Sequence, residues 1–163
     1  MERTRPIAIA AAMMSLAFSS AALSGDPTCE VTQLRGGSID NEEIAVGNPS
    51  EGRIVFRPGG GGFVTEDGWL GWKVLWNRFV KGRIHIEGHR IDGDAPPLRA
   101  VLAPTIEDIG IQPSYLVFPT TGCWKINARI KSEPLSLVVR VEKVGDGPAW
   151  RRTLSELSET PGS

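Results

Sequence analysis

The sequence predicts an all-β domain, a sandwich or barrel of six to eight short strands. Three observations carry that reading. Apolar and polar residues alternate with period two through several runs. Glycine or proline punctuates nearly every gap between the runs. Helical spacing is confined to two short stretches, near residues 105 and 152. The chain has 163 residues, 40% of them hydrophobic and 23% charged, with a formal net charge of -1. That length suits one domain with an apolar core, and the near-neutral balance argues against a nucleic-acid partner.

Residues 1–24 read as a secretory signal peptide. Arg3 and Arg5 give a basic start, Pro6–Phe18 is an alanine-rich apolar run interrupted by Ser15, and Ser19, Ser20, Ala21 and Ala22 are small. Cleavage after Ala22 or Ser24 fits this pattern. The apolar run falls short of the ~20 residues that a membrane span requires, so no transmembrane anchor is expected in the mature chain. No lipobox precedes Cys29, which follows Pro27 and Thr28, so no lipid anchor is expected either. The mature chain is then secreted or periplasmic. Without Glu2, Arg3 and Arg5 it has 16 basic and 18 acidic residues, a net of -2, and it keeps all five tryptophans. Large aromatics supply burial that a disordered segment lacks.

Export places Cys29 and Cys123 in an oxidising compartment, where an even pair is more often bonded than free. A bond would staple the start of the mature chain to its middle and contribute on the order of 4–5 kcal/mol by chain entropy. The alternative is that Cys123, next to Trp124, is simply a small buried hydrophobe.

The strands follow in order. Ile54–Phe56 and Phe63–Thr65 are short candidates on either side of Gly59–Gly62, which reads as a flexible loop or a bend allowing close backbone contact. No Gly-Lys-Ser/Thr ending follows those glycines, so they do not form a phosphate cradle. Leu70, Trp72, Val74 and Trp76 share one parity, which puts Trp72 and Trp76 in the core. Ile84 and Ile86 face inward, and Arg83, His85 and Glu87 face out. Arg99–Leu102 and Tyr115–Phe118 are further short strands. Thr105–Ile109 reads as one helical turn, capped by Thr105 and stopped by Gly110.

The clearest segment is Trp124–Lys131. Trp124, Ile126, Ala128 and Ile130 alternate with Lys125, Asn127, Arg129 and Lys131. After Ser132-Glu-Pro134, the residues Leu135, Leu137, Val139 and Val141 resume the alternation, and the two runs read as an antiparallel hairpin. The domain is expected to span 25–148. Residues 149–163 read as a polar tail expected to fray, with a weak helical stretch at Arg152–Leu157.

Candidate chemistry is sparse. His85, Glu87 and His89 form a row of potential metal ligands on one strand face, with neighbours about 7 Å apart. A zinc site needs three or four ligands converging at ~2 Å, and a flat row supplies two unless Gly88 bulges, so a solvated polar face is preferred. Asp92-Gly-Asp94 reads as a tight turn, since the further oxygen ligands of a calcium loop have no visible source. Trp69 has the parity opposite to Trp72 and is the candidate ligand platform, a flat ring for a sugar or a partner side chain. No Gly-x-Ser-x-Gly elbow is present, and no cofactor is expected.

Two stretches, GRIHIEGHRIDGDAPPLRA from Gly82 and PSYLVFPTTGCWKINARI from Pro113, together with a later strand, VVRVEKV, carry a resemblance. They are similar to a group of uncharacterised small exported bacterial proteins, many of them lipoproteins, that end in an FPT-x-GCW segment and two strands. The matching positions are Gly88, Arg90, Asp92, Pro96, Pro97, Leu98, Pro119, Gly122, Cys123 and Trp124. In that group the position of His89 is usually basic. The resemblance implies a single immunoglobulin-like antiparallel β-sandwich of about seven strands, and a structural role for Arg90, Asp92, Pro119, Gly122, Cys123 and Trp124. It implies no reaction. The expectation is a non-enzymatic exported module that binds a protein or carbohydrate at the cell envelope or outside the cell. The alternative is a metal-binding protein or metal-dependent enzyme using His85, Glu87 and His89.

Overall fold

The computed structural model describes residues 29–33, 38–47, 52–105 and 107–159. The expected leader, 1–24, and the final residues Thr160–Ser163 lie outside them. Among the described residues eleven strands and one short helix follow in order: β1 Ser38–Asp40, β2 Ile44–Gly47, β3 Arg53–Phe56, β4 Phe63–Thr65, β5 Leu70–Arg78 and β6 His85–Arg90. Then come β7 Arg99–Leu102, β8 Gly110–Phe118, β9 Gly122–Arg129, β10 Leu135–Lys143, β11 Arg151–Arg152 and α1 Leu154–Ser158.

The class is all-β, in two sheets. The first is built around β5, which pairs with β8 from Leu70–Phe118 to Arg78–Gly110. The other edge of β5 is shared: β4 pairs near its start and β2 near its end. β1 extends β2, β11 extends β4, and β7 extends β8. The second sheet runs β3-β10-β9-β6. Two pairings, β10 with β3 and β11 with β4, are parallel, so the topology is mixed rather than wholly antiparallel. Eleven described strands also exceed the expected six to eight. β1, β2 and β11 are two to four residues long, too short for alternation to register.

Period-two burial builds the core. Trp124, Ile126, Ala128 and Ile130 on one side of the hairpin, and Leu135, Leu137, Val139 and Val141 on the other, are all buried. β9 and β10 pair antiparallel in the expected hairpin, from Leu135–Ala128 to Val141–Gly122. From the first sheet, Ile44, Val46, Val74, Trp76, Leu116 and Phe118 join the same cluster. Phe118 meets Trp124 edge-on between the sheets at 5.5 Å. The indole of Trp76, with no exposed surface, donates to the Ser114 hydroxyl at 2.8 Å. Each such large apolar side chain contributes about 1.5–3 kcal/mol on burial.

Trp72 is only partly buried, because its ring lies over the glycine loop. A Cβ on Gly61 would stand 3.1 Å from it, and Phe56 meets it edge-on at 5.8 Å. Gly62, at φ +91°, lies against the Phe56 ring. Close backbone approach is thus what the Gly59–Gly62 run provides.

The described residues of the helical turn expected at Thr105–Ile109 are not helical; Ile106 lies outside them. Thr105 and Glu107–Ile109 are irregular, and Gly110, at φ +99°, begins β8 instead of ending a helix. The buried Arg78 donates to the Glu107 carbonyl, so that carbonyl is satisfied by a side chain from β5. The stretch from 149 is ordered where a frayed tail was expected, and the helix expected at Arg152–Leu157 is present as α1. β11 pairs with β4, Thr153 and Glu156 form a capping box on α1, and Leu157 is fully buried against Phe63 and Val117.

Cys29 and Cys123 are joined in a disulfide with Cα atoms 5.6 Å apart. Beside it, Thr32 docks on β10: its N–H donates to the Val138 carbonyl at 2.9 Å, and its hydroxyl accepts from the Val138 N–H at 2.7 Å.

Candidate functional site

Arg90, Asp92, Gly122, Cys123 and Trp124 gather at one place. Arg90 ends β6 and Gly122 and Cys123 begin β9, and Arg90 pairs with Trp124 in the ladder. The Arg90 Nε donates to Asp92 Oδ1 at 2.6 Å across the turn, and the Ile91 N–H donates to the Cys123 carbonyl at 2.8 Å. This ion pair lies directly over Gly122, which has no side chain to obstruct it and adopts φ +135°. Burial alone would push the Asp92 pKa up; Arg90 and a backbone hydrogen bond from Cys123 outweigh it and hold the carboxyl below its ordinary 3.8. The Trp124 indole donates to the Thr120 carbonyl at 3.2 Å. With the disulfide alongside, the cluster joins β6, β9 and the start of the described chain. Arg90 Nε, Asp92 Oδ1, the Ile91 N–H and the Trp124 N–H are engaged within it, which makes it a brace; the buried Thr120 hydroxyl has no partner among the described residues. Asp92-Gly93-Asp94 is part of this turn.

The histidine row does not converge. His85, Glu87 and His89 are all exposed on β6, and β6 pairs with β9 without a bulge: His85 opposite Arg129, Glu87 opposite Asn127, His89 opposite Lys125. Gly88 is buried because a Cβ there would collide with Leu98, so the glycine serves packing instead of swinging His89 back. Among the described residues no group of three His, Cys, Asp or Glu side chains could hold a metal ion.

Trp69 is not a free platform either. It is half-buried, and the Arg99 guanidinium lies 3.6 Å over its ring centre. Arg99 is held there by Asp67 at 2.6 Å, and Asp67 in turn accepts from the Thr65 hydroxyl at 2.5 Å. Thr65, then Arg99, against some opposing burial, hold the Asp67 carboxyl below its ordinary value. A shallow cavity of about 350 Å³ beside this chain is bordered by Glu66, Asp67, Arg99, Thr153 and Ser155. Parity set Trp69 apart from Trp72 and suggested an exposed ring; the ring is half-buried beside Phe63, Val117 and Leu157, and parity could not reveal a cation arriving from thirty residues away.

One surface escaped the sequence reading. On the outer face of the first sheet, Leu75 lies opposite Pro113 and Asn77 opposite Ile111. Phe79 and Ile109 lie just beyond the last pair of that ladder, Arg78–Gly110, in the irregular segments that follow β5 and precede β8. Leu75, Phe79, Ile109 and Ile111 are 45–55% exposed, a strip at that end of the sheet. At the opposite end of the same face, Val117 and Tyr115 are covered by Leu157 of α1 and by Phe63. The short helix covers only one end, so the apolar face is half roofed. The signal was present: Leu75 and Ile111 are apolar residues on the outward parity.

No family model and no curated protein matches this sequence. Among the described residues no helix is long and apolar enough to cross a membrane.

Proposed function

We propose that this chain is an exported, non-enzymatic module with an immunoglobulin-like β-sandwich, related to the small exported proteins it resembles, and that it binds a protein at the cell envelope or outside it. The observation that carries the reading is the strip of Leu75, Phe79, Ile109 and Ile111. Leu75 and Ile111 lie on β5 and β8, and Phe79 and Ile109 lie in the segments that flank them. Together they expose four large apolar side chains near one end of the sheet, a concentration of the kind a protein contact uses, whereas scattered single ones are ordinary. A protein partner is preferred to a carbohydrate because Arg99 covers the face of Trp69. Export is supported by the Cys29–Cys123 bond, which persists in oxidising compartments, together with the basic-apolar-small pattern of residues 1–24.

A photoreactive amino acid at position 111, introduced into the full chain in its own cells, tests the reading. The expected result is a discrete adduct with one envelope protein, on a chain whose N-terminus begins at residue 23 or 25, and no adduct when the probe is at Asn127. Unprocessed protein, or adducts equally abundant from both positions, would overturn it.

A further inference from the structure

β6 and β7 are consecutive strands and begin as a hairpin: the Leu98 N–H donates to the Gly88 carbonyl at 3.1 Å. Continued antiparallel pairing would set Ile86 against Ala100 and Ile84 against Leu102. Those pairs do not form. β6 is the outer strand of the second sheet, paired only with β9, and β7 is the outer strand of the first, paired only with β8. The two strands splay into different sheets. Between them lies a cleft of about 380 Å³, lined by Arg83, Ile84, His85, Ile86, Ala100 and Leu102.

Backbone hydrogen-bonding direction alternates along a strand. The Ile91 N–H donates to Cys123 on β9, and the Ala103 N–H donates to Pro113 on β8. Odd-numbered residues of β6 and β7 therefore face their sheet partners, and the N–H and C=O groups of Ile86, Ala100 and Leu102 face the cleft. The floor is apolar, since Ile84 is buried and Ile86, Ala100 and Leu102 pack against the core while remaining partly open. The rim is cationic. Arg83 and His85 are exposed, Arg129 lies opposite His85, and neither Arg83 nor Arg129 has a carboxylate partner among the described residues. No acidic residue lines the cleft.

We propose that this cleft accepts an extended acidic peptide segment of a partner protein as an added strand. The cleft-facing backbone groups of β6 and β7 supply the ladder, the Ile84–Leu102 floor takes alternate apolar side chains, and Arg83 with the His85–Arg129 pair takes the carboxylates between them. Hydrogen bonding, apolar contact and charge each specify the same occupant. The floor is formed by inner-face side chains at two sheet edges and the rim by exposed ones, and the site does not rest on the strip beside the ends of β5 and β8.

The test is amide hydrogen exchange by NMR on the disulfide-bonded protein, with a capped eight-residue peptide of alternating valine and glutamate as probe. The peptide is expected to slow exchange at Ile86, Ala100 and Leu102 at least tenfold, and its lysine counterpart is expected to leave them unchanged. Arg83→Glu combined with His85→Glu, both at exposed positions, should weaken the acidic peptide at least tenfold. Ala100→Pro, which removes a cleft-facing donor from an edge strand that tolerates proline, should weaken it comparably. If that proline variant fails to fold, the charge reversal decides alone. Equal protection by both peptides, no protection by either, or unchanged affinity after charge reversal would overturn the proposal. Protection that rises with protein concentration alone would also overturn it, by giving the edges to a second copy of the chain.

Discussion

Removing the disulfide is the most demanding perturbation that the structure allows. Cys29 and Cys123 are 94 positions apart, so the bond excludes from the unfolded ensemble every conformation in which those ends separate. The chain-entropy relation gives about 4.7 kcal/mol at 25 °C for a loop of that length. Domains of this class are commonly stable by only about 5–15 kcal/mol, so the bond supplies a large share. Equilibrium urea unfolding of the disulfide-bonded protein against the Cys29→Ala, Cys123→Ala double variant measures the difference. We expect a loss of about 4–5 kcal/mol, a fall in Tm of ~15–20 °C, and a steeper denaturant dependence, because the uncrosslinked unfolded chain exposes more surface. The reduced wild-type protein should match the double variant to within about 1 kcal/mol, because only the small buried Cys123 side chain distinguishes their cores. A loss below ~1 kcal/mol would refute the reasoning, since loop closure cannot then be the source of the stability.

Other consequences are more local. Gly122→Ala should cost about 2–4 kcal/mol in urea unfolding, because φ +135° disfavours a side chain and the added Cβ would meet Arg90 and Asp92. The Asp92 carboxyl titrates below 3.8, so it stabilises the fold fully above that pH and loses the contribution as pH falls through its folded value. Stability curves of wild type and Asp92→Asn, measured between pH 2 and 6, should therefore converge at the acid end. Parallel curves would contradict the Arg90–Asp92 brace. Leu157→Ala should cost about 2–3 kcal/mol by thermal melting and raise amide exchange across 151–158, because Leu157 is the fully buried anchor of α1; a neutral result would show the helix to be undocked.

The parts of this fold that were legible are those where one strand carries its own pattern. β9 and β10 alternate over eight or nine residues, and their inward sets are all buried. β8 was legible only from Tyr115 onward, because Pro113 looks like a strand breaker. Its carbonyl accepts from Ala103 just past the end of β7, so the missing N–H falls where the β7 ladder stops. Gly110 after Asp108 and Ile109 has the spacing of a helix stop, and a positive-φ glycine serves equally to enter a strand. β2 is hidden in a polar stretch, although Ile44 and Val46 are buried, because its turn is set by Asn41, whose side-chain oxygen accepts from the N–H groups of Glu43 and Ile44. The site candidates divide in the same way. Spacing correctly put His85, Glu87 and His89 on one face, and only the register against Arg129 and Lys125 could show that the face is open and cationic. The apolar strip and the cleft arise from strands that meet across the fold, a relation that no local period encodes.

The central claim is that the apolar strip at the Arg78–Gly110 end of β5 and β8 is a surface kept for a partner and not a fault in packing. Leu75→Glu combined with Ile111→Glu tests it most directly, with thermal melting and photo-crosslinking from position 109 read on the same protein. The account predicts a Tm within about 2–3 °C of wild type, as surface changes give, and loss of the envelope-protein adduct. A melt lowered by 10 °C or more, or an adduct of undiminished yield, would contradict it.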